Sequence, residues 1–218
     1  MDKEKFDEVW VVGDLVDYGP DPGEVVDIIR ELDPPVIVRG NHDHAAAYGV
    51  DCGCGPATHD LSVLTREMIT LEQLSHRDLE WLRSLPLEAN VECEGHVFHV
   101  THGSPLDPLY HYFYYHSKIS QIDRVLEKLK ERYGGISNAV LVHGHTHFQG
   151  YLSLNGSKII NPGSTGQPRD GDPRAAYAVL GCSDKELEVI LARLKYNTGD
   201  VISRLSWYEL PSDIVDKL

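Results

Sequence analysis

Four times along this chain a short apolar run, rich in β-branched residues, stops beside a glycine and gives way at once to polar side chains. The runs are residues 8–13 (EVWVVG), 36–39 (VIVR), 96–101 (HVFHVT) and 139–143 (AVLVH). The polar clusters at their ends are Gly13-Asp14, Gly40-Asn41-His42-Asp43, His102-Gly103 and Gly144-His145-Thr146-His147. Runs of that length and composition read as buried strands. In α/β sheets ligands bind in the crevice beyond the carboxyl ends of strands, so four polar clusters in that position are predicted to converge. A glycine at each lets the strand turn sharply and release its next side chain into a site instead of a core.

The remaining periodicity predicts how these strands are connected. Pro22–Leu32 places Val25, Ile28, Ile29 and Leu32 on one face, with proline early and acidic residues in the first turn, so it reads as a helix between parallel strands, a βαβ unit. Residues 58–71 and 75–84 look like amphipathic helices, the second opened by a Ser75/Asp78 capping pair. After Pro86 the pattern turns to strands: Glu88–Cys93 and His96–Thr101 form a hairpin across Glu94-Gly95. Residues 117–132 return to helix. Residues 149–154, 158–160, 175–180 and 186–193 are then strands, joined by Asn155-Gly156 and by turns containing Gly181. Parallel units first and hairpins later predict an α/β fold, a two-sheet mixed β-sandwich flanked by helices. With no linker, repeat or low-complexity stretch, residues 1–218 read as a single domain.

Composition excludes several classes. Lys and Arg total 20 against 34 Asp and Glu, a formal charge of −14 with the 12 histidines neutral, and no basic block occurs. Strong binding to a nucleic-acid backbone is therefore not expected, whereas a small phosphoester remains open if metal supplies the positive charge. No apolar run is long enough to span a bilayer and the first residues lack a signal-peptide core, which predicts a cytoplasmic protein without a membrane partner. Cys52, Cys54, Cys93 and Cys182 are too few for a disulfide framework. Cys52-x-Cys54 lacks the two-residue spacer of a zinc knuckle and reads as turn or buried thiols.

The clusters share one chemistry. Oxygen donors from Asp14 and Asn41 with imidazoles from His102, His145 and His147 suit Mn²⁺, Fe or Zn²⁺ better than Ca²⁺, which prefers oxygen alone. A carboxylate can bridge two such ions, the arrangement that clamps attacking and leaving oxygens in phosphoryl transfer, and Asp14 is the natural bridge. Taken singly, Gly-Asp reads as a turn, His-x-His as alternate residues of a strand, and Asn-His-Asp as a helix cap. All four in one position make a metal site the stronger reading.

In order, Gly13-Asp14, GNHD at residues 40–43, His102-Gly103 and GHTH at residues 144–147 resemble the signatures of the calcineurin-like metallophosphoesterases, and NPGSTGQPRDGDPRAAYAVL at residues 161–180 is similar to the closing segment of small prokaryotic members. The resemblance implies a hydrolase of phosphodiesters or phosphomonoesters in which a metal-bound hydroxide attacks phosphorus. Asp14 would bridge two metals; Asn41, His102 and His145 would complete the shell of the second and His147 would bind the first. The ions implied are divalent, Mn first, with Fe, Ni or Zn as substitutes. His42 would stand over the phosphate, as charge stabiliser or acid, with Asp43 orienting its imidazole. Arg39 either faces phosphate or forms a salt bridge in the sheet.

One signature has no counterpart. Members of the family open with a strand ending in Asp-x-His, and residues 1–13 hold no such motif, so the first βα unit is expected to be missing. Either the natural beginning lies upstream, restoring a two-metal site, or something else covers the gap, for instance a second copy of the chain, and only one strong metal site remains. Some members of the family are protein-interaction surfaces; the missing motif favours such a scaffold while the retained His42 opposes it. A third reading is a hydrolase of dinucleoside polyphosphates, with the tyrosines of residues 109–116 (LYHYFYYH) as a base platform; a packed loop or subunit contact accounts for them equally well.

Overall fold

The computed structural model describes residues 6–134, 139–183 and 186–211. In chain order its elements are β1 (Trp10–Val11), α1 (Pro22–Leu32), β2 (Val36–Ile37), α2 (Asn41–Tyr48), α3 (His59–Thr65), a π turn over Arg66–Thr70, α4 (Leu71–Gln73) and α5 (His76–Ser84). Next come β3 (Glu88–Cys93), β4 (His96–Thr101), α6 (Ile119–Arg132), β5 (Ala139–His143), β6 (Gly150–Leu154), β7 (Ser157–Asn161), β8 (Ala175–Ser183), β9 (Glu186–Leu194) and α7 (Thr198–Leu205).

The central sheet is mixed, in the order β3-β4-β5-β7-β6. Its inner pairs β4-β5 and β5-β7 are parallel, while the outer pairs β3-β4 and β6-β7 are antiparallel hairpins. All of β5 is buried, and alternation divides it between two cores. Ala139 and Leu141 pack with Ile122, Val125, Leu126 and Leu129 of α6. Val140 and Val142 face the other way, into a cluster with Val36, Val38, Phe98 and Val100 that Trp10, Val12, Ala178, Leu180, Leu187 and Val189 close from the far side. The parallel pair β1-β2 and the hairpin β8-β9 thus cover one face of the central sheet, and α6 covers the other. Helices α1, α2 and α5 pack through Val26, Ala46, Ala47 and Leu82 against Ile37 and Leu15, outside the β1-β2 pair. This is the predicted α/β sandwich flanked by helices.

Local chemistry explains the elements. Helix α1 begins with Pro22 in its first turn and ends on Asp33 in the left-handed region. Helix α5 has the expected capping box, with Ser75 N–H donating to Asp78 at 2.8 Å and Asp78 N–H donating back to Ser75 Oγ at 3.3 Å. Glu94-Gly95 and Asn155-Gly156 take positive φ at both residues, as tight two-residue hairpins require. Three expectations change. The helix foreseen over residues 58–71 is interrupted by the π turn. Gly181 is not in a turn: β8 runs on to Ser183 and pairs Gly181 with Glu188, and the turn into β9 lies outside the described residues. Gly40-Asn41-His42-Asp43 is not a simple loop, because Asn41, His42 and Asp43 form the first turn of α2. Among the described residues no helix is long and apolar enough to cross a membrane.

Candidate metal centre

The sheets bring the four strand ends to one edge. Gly144 N–H donates to the His102 carbonyl at 2.9 Å, joining the ends of β4 and β5. The His102 ring donates from Nδ1 to the Val12 carbonyl at 2.7 Å, tying that edge to the end of β1. Gly13 and Gly40 then meet backbone to backbone: a Cβ on Gly13 would lie 2.5 Å from Gly40 N, and one on Gly40 would lie 2.0 Å from Asp14 Oδ1. Both positions require glycine for approach, and Gly13 also for its φ of +82°.

Asp14 sits with its backbone in the left-handed region at φ 59°, as do Asp17 (68°), Tyr18 (60°), His145 (63°) and His147 (60°). Such residues cost about 1 kcal/mol or more each and are held only where the surroundings over-determine them. Asp43 provides much of that restraint. Its carboxylate accepts from Asp14 N–H and Gly40 N–H, both at 2.8 Å, and from Leu15 N–H at 2.7 Å. Burial and the adjacent Asp14 charge push the Asp43 carboxyl up to about 6. Asp14 Oδ1 accepts from His42 N–H at 3.0 Å, leaving Oδ2 buried without a hydrogen-bond partner.

That oxygen belongs to a group of facing acceptors. His102 Nε2 lies 3.1 Å from Asp14 Oδ2, 3.0 Å from Asn41 Oδ1 and 3.2 Å from His145 Nδ1. His102 Nδ1 carries the proton given to Val12, and although burial opposes it the Asp14 carboxylate raises the ring's pKa, so Nε2 holds a second proton without a metal and presents a lone pair to one. Asn41 is oriented the same way, its Nδ2 donating to the Cys52 carbonyl at 2.8 Å and its oxygen turned inward. A protonated His102 has one Nε2 proton to share between the Asp14 and Asn41 oxygens, with His145 Nδ1 beside it. A divalent cation satisfies all of them, so the residues present fit one, and Asp14, Asn41, His102 and His145 are the donors that would hold it. Burial, with the charge of His102, pushes His145 down to about 2, leaving the neutral imidazole a metal needs. Burial alone would raise Asp14, but the charge of His102 and those of His42 and His145 hold its carboxyl far below the usual carboxylate range.

His147 stands beside this set and not within it. Its Nδ1 donates to the Gln167 carbonyl at 2.7 Å, and burial with the Arg169 charge pushes it down to about 3. Arg169 is the guanidinium of the site: its backbone N–H donates to the His147 carbonyl at 3.2 Å, and its side chain lies 5.7 Å from the Tyr18 ring centre. Arg39 is not. Its guanidinium donates to the Arg83 carbonyl at 2.6 Å and stacks on Tyr48, which ties the C-terminal ends of α2 and α5 together. The expectation of Arg39 at phosphate is corrected on that ground, and so is its alternative of a salt bridge.

His42 lies 4.7 Å from the Tyr18 ring, centre to centre. Its Nδ1 is 2.9 Å from Asp17 Oδ2 and 3.2 Å from Ser62 Oγ. Asp17, not Asp43, therefore orients the imidazole, since both Asp43 oxygens are taken by backbone N–H groups. Helix α3 and the π turn together hold this arrangement: Thr70 Oγ of the π turn donates to Asp17 Oδ1 at 3.0 Å, while from α3 Ser62 Oγ donates to Oδ2 at 3.1 Å and Thr65 Oγ accepts from Tyr18 N–H at 3.0 Å. Of the tyrosine-rich loop, Tyr112 packs on His145 at 3.9 Å between ring centres, while Phe113 is core beneath His143. Tyr110 and Tyr115 close against Gly53 and Gly150, so the loop does not form one continuous platform. Cys52 and Cys54, expected as thiols, are joined sulfur to sulfur.

A sequence profile described as the calcineurin-like phosphoesterase superfamily domain matches residues 1–185. The crystal structure of a metallophosphoesterase from Sphaerobacter thermophilus is similar with a TM-score of 0.74 and 30% identity, covering 98% of this chain and 88% of that one. A hypothetical protein from Pyrococcus horikoshii shares the fold at a TM-score of 0.79 and 21% identity, over 97% and 84% of the two chains. An uncharacterized protein of Methanocaldococcus jannaschii is 26% identical over 97% of this chain and 85% of its own length. A symmetrical bis(5'-nucleosyl)-tetraphosphatase of Coxiella burnetii is 37% identical over 81 residues; the match spans 37% of this chain and 27% of that protein.

Proposed function

From the chain's membership of the calcineurin-like phosphoesterase superfamily, we propose that it hydrolyses small phosphodiesters or phosphomonoesters at the Asp14 cluster with a divalent cation, Mn²⁺ first and Fe, Ni or Zn as substitutes. Phosphoester hydrolysis in general goes with the family; the metal and the substrate range are the proposal. The observation that carries it is His102 Nε2 within 3.0–3.2 Å of Asp14 Oδ2, Asn41 Oδ1 and His145 Nδ1, which come from three separate segments of the chain. A cation bound there neutralises phosphoryl oxygens and lowers the pKa of water, from which the attacking hydroxide is drawn.

The chain's own residues do the rest. Asp17 accepts from His42 Nδ1, so in the imidazolium form the Nε2–H is left to stabilise the phosphoryl charge and pass its proton to the leaving oxygen, the ring ending neutral. Arg169, half-buried beside His147 and Tyr18, orients the phosphate as a fixed cation. Asp43 holds the Asp14 loop shut on Gly40. We further take residues 1–218 as one domain of a cytoplasmic enzyme.

The test is turnover of an aryl phosphodiester and an aryl phosphomonoester by the full chain with added Mn²⁺. Asp14→Ala and His42→Ala are expected to reduce it to background. Metal bound with wild-type turnover no better than either variant would overturn the hydrolase reading and favour a binding scaffold.

A further inference from the structure

Beside the oxygen and nitrogen donors of the Asp14 cluster stands a second set of softer character. Cys52 is fully buried and Cys54 half-buried on the loop between α2 and α3. Cys54 Sγ lies 3.4 Å from His42 Nε2, and 3.8 Å from both Asn41 Nδ2 and the Tyr18 hydroxyl. The two sulfurs and a ring nitrogen of His42 all fall within 4.8 Å of one another. The loop is pinned in place by the bond from Asn41 Nδ2 to the Cys52 carbonyl and by Gly53, whose φ of +65° makes the turn.

We infer that the reduced Cys52 and Cys54, together with His42 Nε2, form a second metal site, selective for a soft cation such as Zn²⁺ and separate from the Asp14 cluster. Two thiolates and an imidazole are a zinc donor set that leaves the fourth position open. The sequence spacing conceals it because the third ligand comes from the first turn of α2. His42 is already prepared as a ligand: Asp17 accepts from Nδ1, the carboxylate–histidine arrangement that fixes the tautomer and aims Nε2 at the metal. The Cα atoms of the cysteines are 5.4 Å apart, which lets two sulfurs separate to the roughly 3.8 Å that tetrahedral Zn–S bonds of about 2.3 Å require. Asn41 links the two sets, its oxygen serving the harder one and its Nδ2 holding the backbone of the softer one.

The chemistry balances. A phosphine cleaves the sulfur–sulfur bond and, with one water, gives two thiols and a phosphine oxide. Zn²⁺ then displaces the two thiol protons to solvent. Its occupancy withdraws His42 Nε2 from the leaving oxygen and so suppresses turnover; that consequence alone rests on the proposed hydrolase reading.

Cobalt is the probe. The full chain, reduced with phosphine under anaerobic conditions and titrated with Co²⁺, is expected to develop a near-ultraviolet thiolate-to-cobalt band saturating at one equivalent. The band persists in Asp14→Asn, disappears in the double variant Cys52→Ser/Cys54→Ser, and needs about tenfold or more Co²⁺ in His42→Ala. No band in the reduced wild type overturns the inference, as does a band that survives the double serine variant and so belongs to Cys93 and Cys182. With Mn²⁺ present, one equivalent of Zn²⁺ lowers wild-type turnover and leaves the double variant insensitive. A cobalt band with no turnover of any phosphoester keeps the site and removes the hydrolase reading.

Discussion

His99 in β4 and His102 just past its end are both buried, three residues apart, and they illustrate opposite uses of an imidazole. His99 Nδ1 lies 2.8 Å from the Tyr133 hydroxyl and 3.0 Å from Asn90 Oδ1, and its Nε2 faces the Glu88 carboxylate at 3.6 Å. Its Nδ1 has a partner in either state, Asn90 to accept a proton or Tyr133 to donate one, while among the described residues Nε2 makes no hydrogen bond; no second imidazole and no inward amide oxygen converge on it, so the ring is read as scaffold. His102 has one matched partner, the Val12 carbonyl, and on its other nitrogen a ring of acceptors. Burial and residue type do not separate the two. The company each keeps does: His102 Nε2 meets Asp14 Oδ2, Asn41 Oδ1 and His145 Nδ1, a donor set that one divalent cation satisfies at once.

The largest effect expected from breaking this contrast is on metal dependence. His102→Gln should lower turnover on the order of 10³-fold while His99→Gln leaves it nearly unchanged. A thermal or urea melt gives the sharper comparison. Mn²⁺ at a hundred times its Kd should stabilise wild type and His99→Gln by about 2.7 kcal/mol and leave His102→Gln unmoved. Without metal, His102→Gln should lose stability as well, since the variant gives up the His102–Asp14 ion pair and the bond to the Val12 carbonyl, so the metal-induced shift is what separates the two. A full Mn²⁺ shift retained in His102→Gln would show that His102 is scaffold too.

A smaller effect separates the two aspartates near His42. Asp17→Asn should cost about 10–100-fold in kcat and shift the pH profile, with the fold and metal affinity retained, because it loosens the ring that Asp17 holds. Asp43→Asn turns an amide toward backbone donors at Gly40, Asp14 and Leu15, so it should cost about 1–3 kcal/mol of stability and weaken metal binding. Measured kcat, Mn²⁺ affinity and melting together decide the assignment. If Asp43→Asn lowers kcat alone and Asp17→Asn does nothing, the positioning role returns to Asp43.

The same contrast explains what could be read in advance. Apolar runs ending at glycine were enough to place Asp14, Asn41, His102 and His145, since strand burial is local and a strand's end is set by the run itself. The predicted strands and the α6 core side were legible for the same reason. Helix α2 was invisible as a helix because Ala45, Ala46 and Ala47 are buried together and leave no amphipathic period. Asp17 and Arg169 escaped because each acts through a long-range contact. Asp17 needs a left-handed backbone and the hydroxyls of Ser62 in α3 and Thr70 in the π turn, 45 and 53 residues away in sequence, to be held against His42, and neither leaves a periodic signal. Arg39 misled because its neighbours belong to the site while its side chain belongs to the helix packing behind it.

The smallest effect is a pH dependence carried by His99 alone. Burial, helped by Arg132 and opposed by Glu88, pushes this ring down to about 4. An unfolded histidine titrates near 6.5. The folded pKa is the lower one, so between these values the unfolded chain binds more protons, and stability falls as pH falls. The contribution is complete above pH 6.5 and is lost toward pH 4, amounting to about 2 kcal/mol by pH 5. His143, His145 and His147 also sit low and add to the wild-type slope, so the informative quantity is a difference. Urea melts of metal-free wild type and His99→Gln at pH 7 and pH 5 should show the variant less stable at pH 7, by about 1–2 kcal/mol for its lost hydrogen bond, yet close to or level with wild type at pH 5. Parallel stability curves would mean that His99 takes up its proton in the folded state through Glu88 and that burial does not hold its ring neutral.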